Sequence, residues 1–477
     1  IYPHMLMMPQ NFIDYYVDEI RNENAAFFAG AGFSKASGYV DWKTLLSSIA
    51  MGLGLDINKE RDLATLAQFS FNKNGNRLQI NKVLCKEFTK QKGPTKNHEI
   101  LARLPINVIW TTNYDDLIEQ AFRNVRKNLD VKKRNQDLSN TMPNRECILY
   151  KMHGDKDSLD EVVLIKDDYE RYYKKHKQFL SALTGDLISK TFLFVGFSFQ
   201  DPNLDYILSR VRVEYEQNAR QHYAIMKSLQ RNDFECDAEF EYARKRNEYF
   251  LNDLKRYSIT PLLIDDYSEI TDILREIERK LNQNNVFISG SAAEYGSFSK
   301  EEADYFIKLL SKQLIQNDFN IISGFGLGVG SSVISGALEE IYMSNTESID
   351  NRLLLRPFPQ GEDVKKLWQR YREDMISRAG VSIFVFGNKI DNNVVVDANG
   401  VKSEFEIAKE KNNILIPVGC TGFMTKKLWD DVNSDLQKYY GEVDSCVVEK
   451  FKKLNEQMPI GDMVQNIINL INELRRK

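Results

Sequence analysis

Long apolar runs are missing from this 477-residue chain. None approaches the roughly 20 residues that a membrane-spanning helix requires, so a helical membrane protein is not expected. Cysteine is sparse: Cys85, Cys147, Cys236, Cys420 and Cys446 are odd in number and widely scattered. That spacing fits reduced cytoplasmic thiols better than a disulfide framework. No Cys-x-x-Cys pair is present to supply half of a tetrahedral zinc site, so no metal is expected. Neither sign of charge dominates, since 64 basic and 68 acidic residues are interspersed and leave a net charge of -4. A broad basic face for tracking nucleic acid is therefore absent. The segment Ile1 to Pro9 has an apolar patch but neither the charged start nor the small-residue cleavage site of an export signal. The expectation is a cytoplasmic chain with no nucleic-acid or membrane partner.

What is present is an α/β rhythm. Phe12, Ile13, Tyr16, Val17 and Ile20 share one helical face, and Ala25 to Ala29 reads as a short buried strand. Further strands are predicted at Val108 to Thr111, Ile148 to Met152, Val162 to Ile165, Phe192 to Val195, His222 to Met226 and Ile259 to Ile264. Helical patterns separate most of them, as in a parallel, helix-covered sheet. Asn124 to Arg145, polar and highly charged, reads as a mobile surface excursion or a lid. After a helix ending near Lys280, the polar stretch Asn282 to Asn285 marks a boundary. The rhythm restarts at Val286 to Ser289, with later strands at Asn320 to Ile322, Leu353 to Leu355, Ser382 to Phe386 and Ile414 to Val418. The length also exceeds what one core usually supports. Two open parallel-sheet, Rossmann-like domains are expected, residues 1–283 and 284–477.

In open α/β sheets ligands bind beyond the carboxyl ends of the strands, so the residues delivered there matter most. The first strand ends in Gly30-Ala31-Gly32-Phe33-Ser34, where small residues let backbone amides approach a phosphate. A tight turn would look the same. Val108 to Thr111 runs into Thr112-Asn113-Tyr114-Asp115, which also suits helix capping. Ile148 to Met152 ends in His153-Gly154-Asp155, and Phe192 to Val195 in Gly196-Phe197-Ser198, followed by Asp201-Pro202-Asn203.

As an ordered set these clusters resemble the sirtuin family: a Gly-Ala-Gly-x-Ser loop, a Thr-x-Asn-x-Asp segment, a His-Gly pair and a later Gly-x-Ser. The resemblance implies that Gly30, Ala31, Gly32 and Ser34 hold the NAD pyrophosphate. It places Asn113 and Asp115 at the nicotinamide and ribose, and Gly196 and Ser198 at the adenosine half. His153 would be the base and Asn113 would orient water. A neutral imidazole suits a base because its unperturbed pKa is about 6.5. The four zinc cysteines of sirtuin deacylases are absent, and Gly38-Tyr39-Val40-Asp41-Trp42 replaces the usual Asp-Phe-Arg region. Without a recognisable acyl-lysine channel, water is the simplest acceptor, and NAD+ hydrolysis to nicotinamide and ADP-ribose is the implied reaction. A protein deacylase and a non-catalytic nucleotide-binding regulator are the alternatives.

The second half offers Gly290-Ser291-Ala292 after its first strand, then Ser323-Gly324-Phe325-Gly326-Leu327-Gly328-Val329-Gly330-Ser331. Glycine at 324, 326, 328 and 330 leaves room for a phosphate on backbone amides ahead of a helix near Ser331. Arg372 and Arg378, on the helix before Val381, and Lys389, after Phe386-Gly387-Asn388, offer positive charge. Glu404 is read at a helix start, where it would bind ribose hydroxyls or stabilise the helix. This half resembles the SLOG nucleotide-binding family, and the domain order resembles the effectors of bacterial Thoeris anti-phage defence. That resemblance implies a cyclic ADP-ribose isomer as activator, made by a TIR-domain partner and bound through Arg372, Lys389 and Glu404. It also implies a homotetramer joined through the sirtuin-like domains. The Pro-Gly-Gly-x-Gly-Thr motif of SLOG-related hydrolases is absent, which favours a sensor.

Overall fold

Ala25 to Ala29 carries no polar side chain for solvent on either face, and it forms the fully buried strand at the centre of the first sheet. The computed structural model describes residues 12–199, 201–215, 218–344, 349–359 and 365–475. The segment Ile1 to Pro9 lies outside them. Seven parallel strands make the first sheet: β1 (Ala25–Ala29), β2 (Val108–Thr111), β3 (Leu129–Lys132), β4 (Cys147–Lys151), β5 (Thr191–Val195), β6 (His222–Lys227) and β7 (Ile259–Ile264). Their order is β3-β4-β2-β1-β5-β6-β7. The chain leaves β1 toward β2 on one side and later crosses to β5 on the other, so the switch in direction falls between β1 and β5. Gly30 and Gly196 follow those two strands.

A second parallel sheet contains β8 (Asn285–Ser291), β9 (Asn320–Ser323), β10 (Leu353–Leu355), β11 (Val381–Phe386) and β14 (Ile414–Pro417), in the order β10-β9-β8-β11-β14. A separate antiparallel hairpin joins β12 (Asn388–Asp391) to β13 (Val394–Asp397). Here the switch falls between β8 and β11. The chain divides into two compact units between Glu278 and Arg279, inside the helix Ser268–Asn282. Among the described residues no helix is long and apolar enough to cross a membrane, and no group of His, Cys, Asp and Glu is placed to hold a metal ion.

Four readings of the sequence change. Val162 to Ile165 is buried but is not a strand. Its backbone is satisfied elsewhere: Val163 N donates to His153 O (2.9 Å), Leu164 and Ile165 donate to Asp168, and its carbonyls receive Arg77 and Tyr114. The polar segment Asn124 to Arg145 holds the edge strand β3 instead of forming a free excursion. Its alternate residues Asp130 and Lys132 are buried as an ion pair at 2.9 Å, with Arg145 on the other carboxylate oxygen. Glu404 lies within the helix Asn399–Glu410, not at its start, because the helix begins at Asn399 after the turn that ends the hairpin. Arg378 lies just past the helix Lys365–Ser377 and pairs with Asp374 at 3.1 Å.

Candidate active site in the first sheet

The β2–β4 ladder ends with Thr111 beside Lys151, so Asn113 and His153 each stand two residues past the last register pair of adjacent parallel strands. Both side chains are buried at this strand-end surface. Asn113 Nδ2 donates to Gly30 O (2.9 Å) and Ser34 Oγ (3.2 Å), tying the end of β2 to the glycine loop after β1. Thr111 donates to Ala29 O and accepts from Asn113 N, which fixes the backbone that carries the amide. Asp115 serves the helix Leu117–Asn124 by accepting from Leu117 N (3.1 Å), and Ser34 also hydrogen-bonds to it. Burial raises its pKa above the ordinary carboxylate value, against the opposing effects of those hydrogen bonds and Lys151.

The loops after β1 and β5 meet as bare backbone. Gly30 N donates to Val195 O, and Gly32 N to Gly196 O. A Cβ on Gly196 would lie 2.3 Å from Phe33 N, and its φ of +69° is left-handed. Gly196→Ala is therefore expected to cost about 2–4 kcal/mol through overpacking and strain. A thermal melt should fall by roughly 5–10 °C. Ala31 and Gly32 are exposed on the single helical turn Ala31–Ser34, Ser34 is buried, and Ser198 is exposed.

His153 Nε2 lies 2.8 Å from Asp201 Oδ2, a close contact too oblique for a well-formed hydrogen bond. The other oxygen of Asp201 caps the helix Pro202–Tyr215 by accepting from Asn203 N and Leu204 N. Burial alone would raise the Asp201 pKa, but His153 and these amides outweigh it and leave it lowered. Tyr169 stands edge-on to the imidazole at 5.4 Å. The other buried histidines do different work. His98 supplies its ring nitrogen to Thr95, and His222 accepts from Phe192 N; burial pushes them down to about 4 and about 3.

Sequence reasoning did not assign Asp201 a role. The Asp-Pro order was its signal, since proline favours the first helical position and aspartate the cap before it. Also unforeseen was a cavity of about 670 Å³ lined by Tyr39, Phe88, Lys90, Lys92, Asp116 and Lys156, among others. Burial, followed by Asp115 and Asp116, pushes the Tyr39 hydroxyl up to about 12.

At the second switch point, the expected ligand residues form two groups. The glycine loop packs on the end of β8: Ala292 N donates to Leu327 O, and a Cβ on Gly326 would lie 1.8 Å from Gly290 O. The missing side chain there makes room for another loop's backbone, a packing role the sequence reading did not consider. The helix after the loop starts at Gly330, and Gly324 packs against Phe358. In the second group, Glu404 accepts from Ser289 Oγ and lies 3.4 Å from Arg372 Nε. Burial raises the Glu404 pKa against the opposing effects of Ser289 and Arg372. The Arg372 guanidinium also stacks over Phe358 at 5.3 Å. Lys389 is exposed on the hairpin opposite Val396 and is not joined to either group by a described contact. Its neighbour Asn388, buried, holds the β8 loop by accepting from Ala293 N and Glu294 N, while Ser291 Oγ donates to Asn388 O.

Fold and site together define a two-domain protein in which a sirtuin-like sheet precedes a SLOG-type sheet. Residues 107–250 match the SIR2-like domain, and residues 269–474 match the Sir2- and TIR-associating SLOG family. The chain is 51% identical to NAD(+) hydrolase ThsA of Bacillus cereus (strain MSX-D12), over 97% of this chain and 98% of that protein. Identity to NAD(+) hydrolase ThsA of Cytobacillus dafuensis is 46%, covering 96% and 95%, and to that of Acinetobacter baumannii (strain 532279) 44%, covering 96% and 98%. The chain belongs to the NAD(+) hydrolase ThsA family.

Proposed function

We propose that this chain hydrolyses NAD+ to nicotinamide and ADP-ribose in its first domain, as the names of its relatives indicate for them. The observation that carries the reading is the arrival of Asn113 and His153 at equivalent positions on adjacent strand ends, beside the Gly30–Gly196 seam. Gly30, Ala31, Gly32 and Ser34 face the pyrophosphate, Asp115 the ribose side, and Gly196 and Ser198 the adenosine half. The glycosidic bond breaks with its electron pair moving to the nicotinamide nitrogen. A water oriented by Asn113 then bonds to the ribose carbon and gives up its proton. With Nε2 as the nitrogen that lies against the Asp201 carboxylate and keeps its proton, the other imidazole nitrogen of His153 is assigned the lone pair that takes this proton.

Incubation of the full chain with NAD+ and an activating cyclic ADP-ribose isomer should yield nicotinamide and ADP-ribose in equal amounts, unchanged by an acetyl-lysine peptide. Formation of O-acetyl-ADP-ribose from that peptide would instead support deacylation. Asp201→Asn retains an oxygen for the helix cap but removes the charge facing His153. It is expected to lower kcat by about 10–100-fold with the fold retained, as read from nicotinamide release and a thermal melt. Because the folded pKa of Asp201 is lowered, its contribution to stability is present above about pH 4. It is lost as pH falls through the depressed value, so the melting temperatures of parent and variant should converge in acid.

The second domain is proposed as the sensor of a cyclic ADP-ribose isomer supplied by a TIR-domain partner. Gly290, Ser291, the loop glycines 324, 326, 328 and 330, Arg372, Lys389 and Glu404 form its ligand site. The active assembly is proposed to be a cytoplasmic homotetramer, switched on by the signal so that NAD+ is depleted in abortive anti-phage defence. A shift from about 1% to 99% active needs roughly 5.5 kcal/mol of differential binding, which several subunits switching together supply more readily than one.

A further inference from the structure

Asn113 and His153 both lie beyond the last paired residues of their strands, so the sheet ladder alone does not fix the distance between them. Beneath them lies the fully buried ammonium of Lys151. Its Nζ donates to Asp115 O (2.6 Å) and Tyr114 O (3.3 Å), the carbonyls that follow Asn113. It also contacts the Asp155 carboxylate, two residues after His153, and Glu119 Oε1 at 3.0 Å. A backbone bond from Lys156 N to Tyr114 O (2.9 Å) runs parallel to this bridge. Asp155 is held independently by Lys133 at 3.0 Å and by Asp157 N.

A buried ion pair is weak evidence for stability, because its desolvation cost can exceed the attraction. Well-packed apolar residues would serve the core equally well. They would not hold two backbone carbonyls. From this placement we infer that Lys151 is a positioning residue for the NAD+-cleaving centre: its ammonium clamps the Asn113 segment to the His153 segment. The inference rests on the assignment of those two residues to catalysis.

The test uses the full chain with NAD+ and a cyclic ADP-ribose isomer as activator, reading nicotinamide release and a thermal melt. Lys151→Met leaves Glu119 buried without its partner and is expected to be unstable. The double variant Lys151→Met with Glu119→Leu removes that stranded charge, while Asp155 keeps Lys133. The double variant is expected to regain most of the melting temperature while its kcat stays about 100-fold low and its KM stays within about threefold, since a small misplacement of reacting groups has that effect. A purely structural role for Lys151 gives the opposite result, kcat returning with stability, and that overturns the inference. Should the double variant not fold, Asp155→Ala decides. It cuts the link on the His153 side and leaves Lys151 on Tyr114, Asp115 and Glu119. It is expected to lower kcat about 10-fold at unchanged KM, and an unchanged kcat overturns the clamp. Asn113→Ala and His153→Ala run in parallel: if both retain turnover, the catalytic assignment itself has failed. If both lose it while a folded clamp variant is fully active, only the inference has failed.

Discussion

Replacing His153 with alanine is expected to lower nicotinamide release from NAD+ by about 10²–10⁴-fold, the range that a positioned general base contributes. The melting temperature should fall modestly, because the buried Asp201 carboxylate loses His153 but keeps the two amides of its helix cap. The imidazole is buried between Asp201 on one ring nitrogen and the rings of Tyr169 and Tyr172. Its backbone carbonyl, which receives Val163 N, survives the substitution. Asp201 keeps its helix cap after the loss of the ring, so the pocket loses a proton acceptor while its walls remain in place. Asn113→Ala should also abolish most turnover, but at a greater cost in stability, because Asn113 ties the β2 end to Gly30 and Ser34. Turnover and melting curves on both variants separate the two roles.

Arg372→Ala is expected to raise the concentration of cyclic ADP-ribose isomer needed for half-maximal activation by roughly 10–100-fold. Hydrogen bonds to charged groups are worth about 1.5–3 kcal/mol, and a tenfold change corresponds to about 1.4 kcal/mol. The variant also leaves Glu404 in a buried position with Ser289 as its remaining described partner. Burial already raises the Glu404 pKa, and without the guanidinium it should rise further. A folded acid with a raised pKa binds more protons than its unfolded form, so stability falls as pH rises above about 4. The variant should therefore melt at a higher temperature at pH 5 than at pH 8, with a larger difference than the parent chain. An activation curve identical to the parent's would move the signal site away from Arg372.

The sequence was legible where one physical demand governed each residue. Ala25 to Ala29 had to be a fully buried strand, and the glycine-rich loop after it, together with the ends of β2, β4 and β5, marked the candidate site in order. Where two demands competed, the pattern misled. Val162 to Ile165 has the composition of a strand, but the Asp168 carboxylate, the Arg77 guanidinium and the Tyr114 hydroxyl take its backbone groups. Asp130 and Lys132 disguise an edge strand as loop because each buries its charge against the other. Glycine at 326 was read as room for a ligand, and the same lack of a side chain admits the carbonyl of Gly290. The Asp-Pro order signals the helix cap, but the approach of Asp201 to His153 and of Lys151 to Tyr114, Asp115 and Glu119 joins residues far apart in the chain, which spacing along the sequence does not encode.

Nicotinamide release by the purified full chain, measured with NAD+ alone and with each cyclic ADP-ribose isomer, and repeated with His153→Ala, tests the central claim most directly. Release that one isomer stimulates and the variant loses is the expected result. No release from the parent chain under any of these conditions would contradict the account and leave a nucleotide-binding regulator in its place.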